Sequence, residues 1–270
     1  MSILNIGEDL RALGIRPSKR LGQHFLKDTG IADWMVERAD IAPGERILEI
    51  GPGLGILTER LIRKTTSLTT IEKDPALAKH IESKLSIEVI NADVLKAELP
   101  EFDKVVSNLP YQISSEVTLK LLEHGFKKGL LMYQKEFADH LVAEAGTRPY
   151  SRISVMCQYR ADCTIVRNVS KGSFHPVPKV DSAIVELVPR PPYPAARSEE
   201  EFSRLMTILF SHKNRKVRNC LVSEHRRLGL DKKAARATAD NLPYADERPV
   251  KLGIKDLVAI TNSFIEHTDG

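Results

Sequence analysis

The feature that most constrains the fold of this 270-residue chain is a regular alternation of short strand-like runs with helical stretches. Five strands alternate with helices and are followed by two β-branched runs that have no helix between them. A helical crossover returns the chain to the same end of a sheet, so strands joined in this way pair in parallel. The sequence therefore predicts an α/β fold with a Rossmann-like, mostly parallel sheet that ends in an antiparallel hairpin. The predicted strands are Arg46–Ile50, Leu68–Ile71, Ile87–Ile90, Lys104–Ser107, Gly129–Tyr133, Cys163–Val169 and Ser182–Val188.

A proline-rich segment divides the chain. Four of the six residues in Pro189–Pro194 are prolines, which remove backbone donors and stiffen the chain into a linker. Only helical patterns follow it. We therefore predict a larger α/β domain over 1–190, with a basic N-terminal arm, and a small all-α domain over 191–270. The helices predicted after the linker are Glu199–Ser211, Lys216–Leu228, Lys232–Asn241 and Ile254–Glu266.

Composition excludes several classes of protein. With 42% hydrophobic and 28% charged residues, the chain has enough apolar content to offset the entropy of ordering, so it is not mainly disordered. No apolar run approaches the ~18 residues of a membrane-spanning helix, and the N-terminus lacks the apolar core of a secretory signal. The three cysteines form no CxxC pair, which suits a reducing cytoplasm and predicts no metal site.

Basic residues are concentrated in two segments. Arg11–Lys27 holds five basic residues and no acidic one, and His212–Arg236 holds nine basic residues against two acidic ones. The net charge of the whole chain is only +4. Most charge runs are solvated helix faces, but two separate basic segments on a nearly neutral body also fit a polyanionic partner such as nucleic acid.

A glycine-rich loop follows the first predicted strand. In Gly51-Pro52-Gly53-Leu54-Gly55 the glycines let the backbone approach a ligand closely at the start of a helix. The third glycine comes one residue too early for the G-x-G-x-x-G fingerprint, since Ile56 stands at the required position. A pyrophosphate contact is therefore less well supported than a nucleoside contact.

Two carboxylates end the next two strands. Glu72 lies 21 residues after Gly51, where an acidic side chain can accept both hydroxyls of a ribose. Asp93 ends the third strand, where it can meet the exocyclic amine of an adenine or simply form an Asx turn. These features favour a cofactor with an adenosine and no required pyrophosphate, such as S-adenosylmethionine.

The tetrapeptide Asn108-Leu109-Pro110-Tyr111 ends the fourth strand and is the sharpest chemical signal. The exocyclic amine of adenine is a poor nucleophile because its lone pair is delocalised into the ring. The Asn108 side-chain oxygen and the Leu109 carbonyl can each accept an N–H of this amine and so direct the lone pair at a methyl donor. Pro110 fixes the backbone, and Tyr111 offers a flat face for stacking the base.

With these motifs the chain resembles the KsgA/RsmA family of rRNA adenine dimethyltransferases, with the Erm-type enzymes as relatives. The resemblance implies a SAM-dependent methyltransferase of two adjacent adenosines in the 3′-terminal hairpin loop of small-subunit rRNA, acting on immature subunits in the cytoplasm, as a monomer. It also implies that 1–190 is the SAM-binding catalytic domain and that 191–270 is an RNA-binding domain. The segments that carry it are Leu21–Leu26, the glycine loop, Asn108–Tyr111, Gly172–Ser182 and Phe210–Asn219.

The resemblance also implies roles for individual residues. His24 stands where the family often has Asn, and Phe174 is expected to stack on the flipped adenine opposite Tyr111, unless it is a loop aromatic that fills the core. The expected cofactor contacts are His24, Leu26, Gly51, Gly53, Glu72, Asp93 and Asn108. The expected catalytic residues are Asn108, Leu109, Pro110, Tyr111 and Phe174, and the expected RNA contacts are Arg20, Lys213, Arg215, Lys216 and Arg218.

Three alternatives stay open at this point. The first is an Erm-type enzyme that dimethylates one adenosine of large-subunit rRNA, which the long helical tail disfavours. The second is a non-catalytic RNA-binding factor on the same fold, which the intact Asn108–Tyr111 motif disfavours. The third is an NAD-dependent oxidoreductase, which leaves the same motif unexplained.

Overall fold

A computed structural model describes residues 6–15 and 23–268. The strands are β1 (Phe25–Leu26), β2 (Ile47–Ile50), β3 (Leu68–Glu72), β4 (Val89–Asn91), β5 (Lys104–Asn108), β6 (Lys128–Gln134), β7 (Ala161–Val169), β8 (Phe174–His175) and β9 (Ser182–Pro189). The helices are α1 (Ile6–Ala12), α2 (Thr29–Ala39), α3 (Thr58–Leu61), α4 (Pro75–Leu85), α5 (Ser114–His124), α6 (Lys135–Leu141), α7 (Arg152–Arg160), α8 (Glu199–Ser211), α9 (Val217–Ser223), α10 (Lys232–Asn241) and α11 (Ile254–Thr268).

Seven strands form one sheet in the order β4-β3-β2-β5-β6-β9-β7. The pairs from β4 to β6 are parallel, and β9 runs antiparallel to β6, with Leu131 opposite Val185. The central strands are apolar and buried on both faces, as expected for parallel strands covered by helices. This topology is a Rossmann-like methyltransferase sheet, and it confirms the predicted fold class.

The chain forms two compact units. The first comprises Met1–Ala138 and Asp162–Pro189, and the second comprises Asp139–Ala161 and Arg190–Gly270. The regular elements of the second unit are helices apart from Ala161, the first residue of β7. Its larger segment begins at Arg190, one residue before the predicted domain boundary. It also takes 139–161, which the prediction placed in the first domain. The proline-rich segment lies where the chain passes from the first unit to the second at 189–190. The passages at 138–139 and 161–162 have no comparable signal in the local sequence.

Short side chains fix several helix starts. The Asp28 carboxylate accepts the backbone N–H of Ile31 at the start of α2, and that of Asp74 accepts the N–H of Ala76 at the start of α4. Ser198 caps α8 in the same way. Each cap satisfies donors that the first helical turn leaves without an intrahelical partner, so these boundaries are readable from sequence.

Other elements differ from the prediction. The helix expected to start at the glycine loop, over 54–64 by its apolar spacing, is regular only in α3, because the loop itself occupies the first turn. Helix α7 was not predicted, nor was the short antiparallel pair of β1 with β8. That pair joins segments about 150 residues apart, and two-residue strands have no detectable periodicity.

We expect Gly55→Ala to destabilise the first unit by about 1–3 kcal/mol. Gly55 has φ +89°, and an added Cβ would lie 2.8 Å from Cδ1 of Ile81 on α4. Both the backbone strain and the clash oppose the substitution. Thermal unfolding of Gly55→Ala would check this, with Gly146→Ala as control. Gly146 also has positive φ (+87°) but open space around it, so equal losses in both variants would contradict a role for the Ile81 contact.

Candidate active site

The candidate site lies where the strand order reverses. Strands β3 and β4 follow on one side of β2, and β5 and β6 are added on its other side, so the strand order reverses between β2 and β5. In such sheets ligands bind beyond the carboxyl ends of the two strands at this reversal. The glycine loop follows β2, and Asn108 ends β5. The buried Ser107 hydroxyl accepts the N–H of Ile50 at 2.8 Å and holds the two strand ends together.

A cavity of about 460 Å³ opens between these strand ends. This is the size of a small-molecule or cofactor site. It brings together the predicted residues from β1, the glycine loop, β3, the β4 end and the Asn108–Tyr111 motif. Those that line it are His24, Leu26, Gly51, Gly53, Glu72, Asp93, Asn108, Leu109, Pro110 and Tyr111.

The glycine loop has a backbone that other residues rarely adopt. Gly51, Gly53 and Gly55 have φ of +69°, +58° and +89°. A Cβ on Gly51 would lie 3.6 Å from the Pro110 ring, so the loop and the Asn108–Tyr111 motif are in close approach. Glycine is therefore needed for the conformation, whereas a Cβ on Gly51 would make only an ordinary van der Waals contact with Pro110.

The two predicted strand-end carboxylates differ in their surroundings. Glu72 is buried and accepts the N–H of Asp74 at 2.8 Å, and burial raises the pKa of its carboxyl. Asp93 pairs with Lys73 at 2.8 Å and accepts the N–H of Leu95 at 3.1 Å. Its hydrogen bond from Lys73 lowers its pKa. Asp93 thus forms the Asx turn that was considered for it, at the edge of the cavity.

Glu49 was missed by the sequence reasoning. Its carboxyl is buried in β2, lines the cavity, and its Oε2 has no hydrogen-bond partner among the described residues. Burial raises the pKa of Glu49 to about 8, and the nearby Glu72 adds to the shift. The sequence signal that could have identified Glu49 is a carboxylate inside the apolar run 46–50, immediately before the glycine loop.

The two polar atoms of the Asn108 side-chain amide differ, since Nδ2 is hydrogen-bonded and Oδ1 is not, among the described residues. Its Nδ2 donates to the backbone carbonyl of His24 at 3.1 Å. Its Oδ1 is buried at the cavity and has no hydrogen-bond partner within the described part of the chain. Because the donor end is held by a carbonyl, the acceptor end is left for a ligand that carries an N–H.

The Tyr111 side chain is positioned by a hydrogen bond to its hydroxyl and by a ring stacked on one of its faces. Its hydroxyl shares a 2.6 Å hydrogen bond with that of the buried Ser182, and the His24 ring stacks on its ring at 5.6 Å. The His24 ring is itself fixed, since its Nδ1 donates to the Pro176 carbonyl at 2.8 Å. Burial raises the pKa of Tyr111, so the phenol is neutral at physiological pH.

Phe174 is the predicted site residue that the structure places away from the cavity. Its ring is fully buried in the core beside Leu26, Met35 and Ile184, and does not line the cavity. The pairing of β8 with β1 holds it there. The arrangement corresponds to the core aromatic considered as the alternative, and stacking on a base would require this loop to rearrange.

The predicted RNA-binding cations are mostly engaged within the helical unit. Lys213 donates to the Tyr150 carbonyl at 2.6 Å, and Lys216 and Arg218 both pair with Asp246. Arg215 is exposed, and its guanidinium has no partner among the described residues. Arg20 lies outside the described residues.

The cavity fits a positively charged adenosyl ligand. Its apolar walls and glycine loop suit a nucleoside, and Glu72 lies where ribose hydroxyls are expected. The buried Oε2 of Glu49, which has no partner among the described residues, favours a cationic or hydrogen-bonding ligand. Within 6–15 and 23–268, no group of three or more His, Cys, Asp and Glu side chains could hold a metal ion. No helix in the same residues is long and apolar enough to cross a membrane. Fold and site together define the class of Rossmann-like methyltransferases.

Comparison with known proteins narrows this class. The family model for ribosomal RNA adenine dimethylase matches residues 15–248, so the chain belongs to this family. It is 42% identical over 250 residues to the probable ribosomal RNA small subunit methyltransferase A of Methanosarcina acetivorans, covering 90% of this chain and 92% of the relative. The corresponding protein of Thermococcus gammatolerans is 41% identical, with 91% and 88% covered.

Two solved structures are similar over nearly the whole chain. A dimethyladenosine transferase from Plasmodium falciparum gives a TM-score of 0.75 at 30% identity, covering 90% of this chain and 98% of its own. The 23S rRNA methyltransferase ErmE gives 0.64 at 29% identity, covering 91% and 100%. The chain is accordingly a SAM-dependent rRNA adenine dimethyltransferase, and the oxidoreductase alternative falls away.

Proposed function

We propose that this enzyme transfers two methyl groups to the N6 atom of each of two adjacent adenosines in the 3′-terminal hairpin loop of small-subunit rRNA, on immature subunits in the cytoplasm. The observation that carries the chemistry is the unpartnered Asn108 Oδ1 at the cavity, with its amide fixed by the His24 carbonyl. The small-subunit assignment is supported by relatives named small subunit methyltransferase A, at about two-fifths identity over most of the chain.

The residues around Asn108 supply positioning and not a strong base. SAM, when bound, supplies a methyl group on a sulfonium, which is already a good leaving group. Asn108 Oδ1 and the Leu109 carbonyl accept hydrogen bonds from the N–H groups of the target amine and turn its lone pair toward that methyl group. The proton that the methylated nitrogen loses passes to solvent. Fixed alignment of this kind accounts for most of the barrier reduction in such a transfer.

Tyr111 holds the plane of the base. One face of its ring carries His24, which leaves the opposite face for the target adenine. Because the phenol is tied to Ser182 and the imidazole to Pro176, the ring is oriented before the base arrives. A loop base is suited to this pocket, since it can be splayed out at low unstacking cost.

Tyr111→Ala is expected to slow methyl transfer about 5- to 150-fold, given the ~1–3 kcal/mol that one stacked base is worth. SAM affinity should be unchanged, as measured by calorimetry. Tyr111→Phe keeps the ring and removes only the Ser182 hydrogen bond, so its loss should be smaller. If Tyr111→Ala instead lost SAM affinity in parallel with its rate, the residue would support the cofactor site and not the base.

The proposed function is tested by labelled methyl transfer from SAM to small ribosomal subunits that lack the 3′-end adenine dimethylation. We expect label on both adjacent adenosines, and none on large subunits or on already modified small subunits. Label in large-subunit rRNA would support the Erm-type specificity instead. SAM binding without any transfer would support the RNA-binding factor.

A further inference from the structure

A lysine on α5 is hydrogen-bonded to the turn that follows β4. The Nζ of Lys120 donates to the backbone carbonyls of Val94 at 2.8 Å and Leu95 at 3.3 Å, and also to that of Ala97. An ammonium has three N–H donors, and three carbonyls of one turn accept them here. The sequence gives no sign of this contact, because Lys120 lies 23 to 26 residues away from its partners.

The turn that Lys120 contacts is also a wall of the cavity. Asp93 and Val94 line the cavity, whereas Lys120 does not. The Asp93 carbonyl accepts the N–H groups of Lys96 and Ala97 at 2.9 Å each, which closes one helical turn. The last carbonyls of such a turn have no partner within it, and a lysine side chain can supply one. Lys120 therefore fixes the end of a turn whose start faces the ligand.

The peptide group between Val94 and Leu95 connects Lys120 to Asp93. Its carbonyl accepts a hydrogen bond from the Lys120 ammonium, and its N–H donates to Oδ1 of Asp93 at 3.1 Å. Because a peptide group is planar, fixing the direction of the carbonyl also fixes that of the N–H. A cation at the carbonyl polarises the group and strengthens the N–H as a donor. Lys120 therefore orients the Asp93 carboxylate through one intervening peptide group.

The other oxygen of Asp93 has a more exposed partner. Lys73 donates to Oδ2 at 2.8 Å, and its side chain is 57% exposed. An ion pair at this exposure contributes little, because water screens it. The part-buried contact of Lys120 therefore constrains the turn more firmly than Lys73 does. Each carboxylate oxygen can accept more than one hydrogen bond, so Asp93 can still accept an N–H from a ligand.

We propose that Lys120 is a positioning residue for the cofactor, which orients Asp93 through the Val94–Leu95 peptide to accept the exocyclic amine of the adenine of SAM. Lys120 does not bind the cofactor itself. A lysine that only stabilised the fold would affect every ligand of the cavity equally, whereas one that acts through Asp93 affects only ligands that carry the amine. The inference concerns the cofactor and does not depend on which rRNA is methylated, so it can fail or hold independently of the proposed function.

The test compares two ligands that differ at this amine. S-adenosyl-L-homocysteine carries it, and S-inosyl-L-homocysteine has an oxygen in its place. Calorimetry on the full-length protein measures both affinities without RNA or methyl transfer. K120M removes the three donors and keeps the length of the side chain. K128M is the matched control, since Lys128 also donates to a backbone carbonyl, that of Arg38 at 2.8 Å, but lies at the start of β6 and does not line the cavity.

For K120M we expect the affinity for S-adenosyl-L-homocysteine to fall about tenfold, the lower end for loss of a hydrogen bond to a charged group. The affinity for S-inosyl-L-homocysteine should not fall, because this ligand has no amine for Asp93 to accept. K120R keeps the donors and should retain more of the selectivity than K120M, and K128M should retain all of it. Equal losses for both ligands in K120M would show a loosened cavity and overturn the proposal, as would the same change in K128M.

A double variant tests the route through Asp93. If Lys120 acts through Asp93, D93A/K120M should select between the two ligands no worse than D93A alone, because the two residues then act as one unit. Additive losses of selectivity would overturn the proposal, and so would a D93A variant as selective as the wild type. Thermal unfolding checks that each variant is folded. If K120M does not fold, K120Q, which keeps an NH₂ donor group, takes its place and should lose selectivity in the same direction.

Discussion

Asn108→Ala should reduce the rate of methyl transfer by about 10²–10³-fold, the loss typical of removing one preorganised polar contact from a transition state. The variant loses the buried Oδ1 acceptor, which has no partner among the residues that the structure describes, and with it the group that orients the amine. It also loses the Nδ2 bond to the His24 carbonyl. The measurement is single-turnover transfer of labelled methyl to unmodified small subunits, with SAM affinity determined in parallel.

Asn108→Asp is the matched variant for this prediction. It keeps an acceptor oxygen at the same position but cannot donate to the His24 carbonyl. We therefore expect a rate between those of the wild type and Asn108→Ala. Two results would contradict the role assigned to Oδ1. One is a near-normal rate in Asn108→Ala, and the other is an Asn108→Asp rate no higher than that of Asn108→Ala.

SAM affinity should rise with pH between 6 and 8 in the wild type and much less in Glu49→Gln. Because burial raises the pKa of Glu49 to about 8, its carboxyl is mostly protonated at neutral pH in the cofactor-free protein. SAM carries a net positive charge and favours the carboxylate, so binding releases a proton. If each binding event releases one full proton, SAM affinity rises up to about tenfold per pH unit below the pKa of Glu49.

Calorimetry in buffers of different ionisation enthalpy measures the released proton directly. The variant Glu49→Gln removes the proton of Glu49 itself. It leaves in place the other titratable or charged residues of the cavity, which are His24, Glu72, Lys73, Lys84, Asp93 and Tyr111. A wild-type and a Glu49→Gln profile of the same slope would assign the proton to another group. Loss of binding at all pH values would show that the charge itself is indispensable.

The raised pKa of Glu49 also makes the free energy of unfolding depend on pH. A carboxyl whose pKa is higher in the folded than in the unfolded state favours the folded protein less as pH rises from its ordinary pKa toward the raised value. The cofactor-free wild type should therefore lose thermal stability from about pH 5 to pH 8. Glu49→Gln has no charge to bury, so its unfolding temperature should fall less over the same range.

Much of the site could be predicted because its parts are local in sequence. The glycine loop, Glu72, Asp93 and Asn108 each follow a recognisable strand, and the carboxyl ends of parallel strands meet at one edge of a sheet. Their gathering around one cavity follows from that rule. The predictions for Lys213, Lys216 and Arg218 are less informative, because a charge count does not reveal which carboxylates or carbonyls lie nearby.

The strand and helix pattern, the glycine loop and the chemistry of the Asn108–Tyr111 motif are predictable from sequence, since these depend on neighbours a few residues away. The tertiary structure decided what depends on distant partners. The orientation of the Asn108 amide is set by a carbonyl 84 residues away, and that of His24 by one 152 residues away. The burial of Glu49 and Phe174 and the inclusion of 139–161 in the helical unit likewise follow from packing, which local periodicity does not reveal.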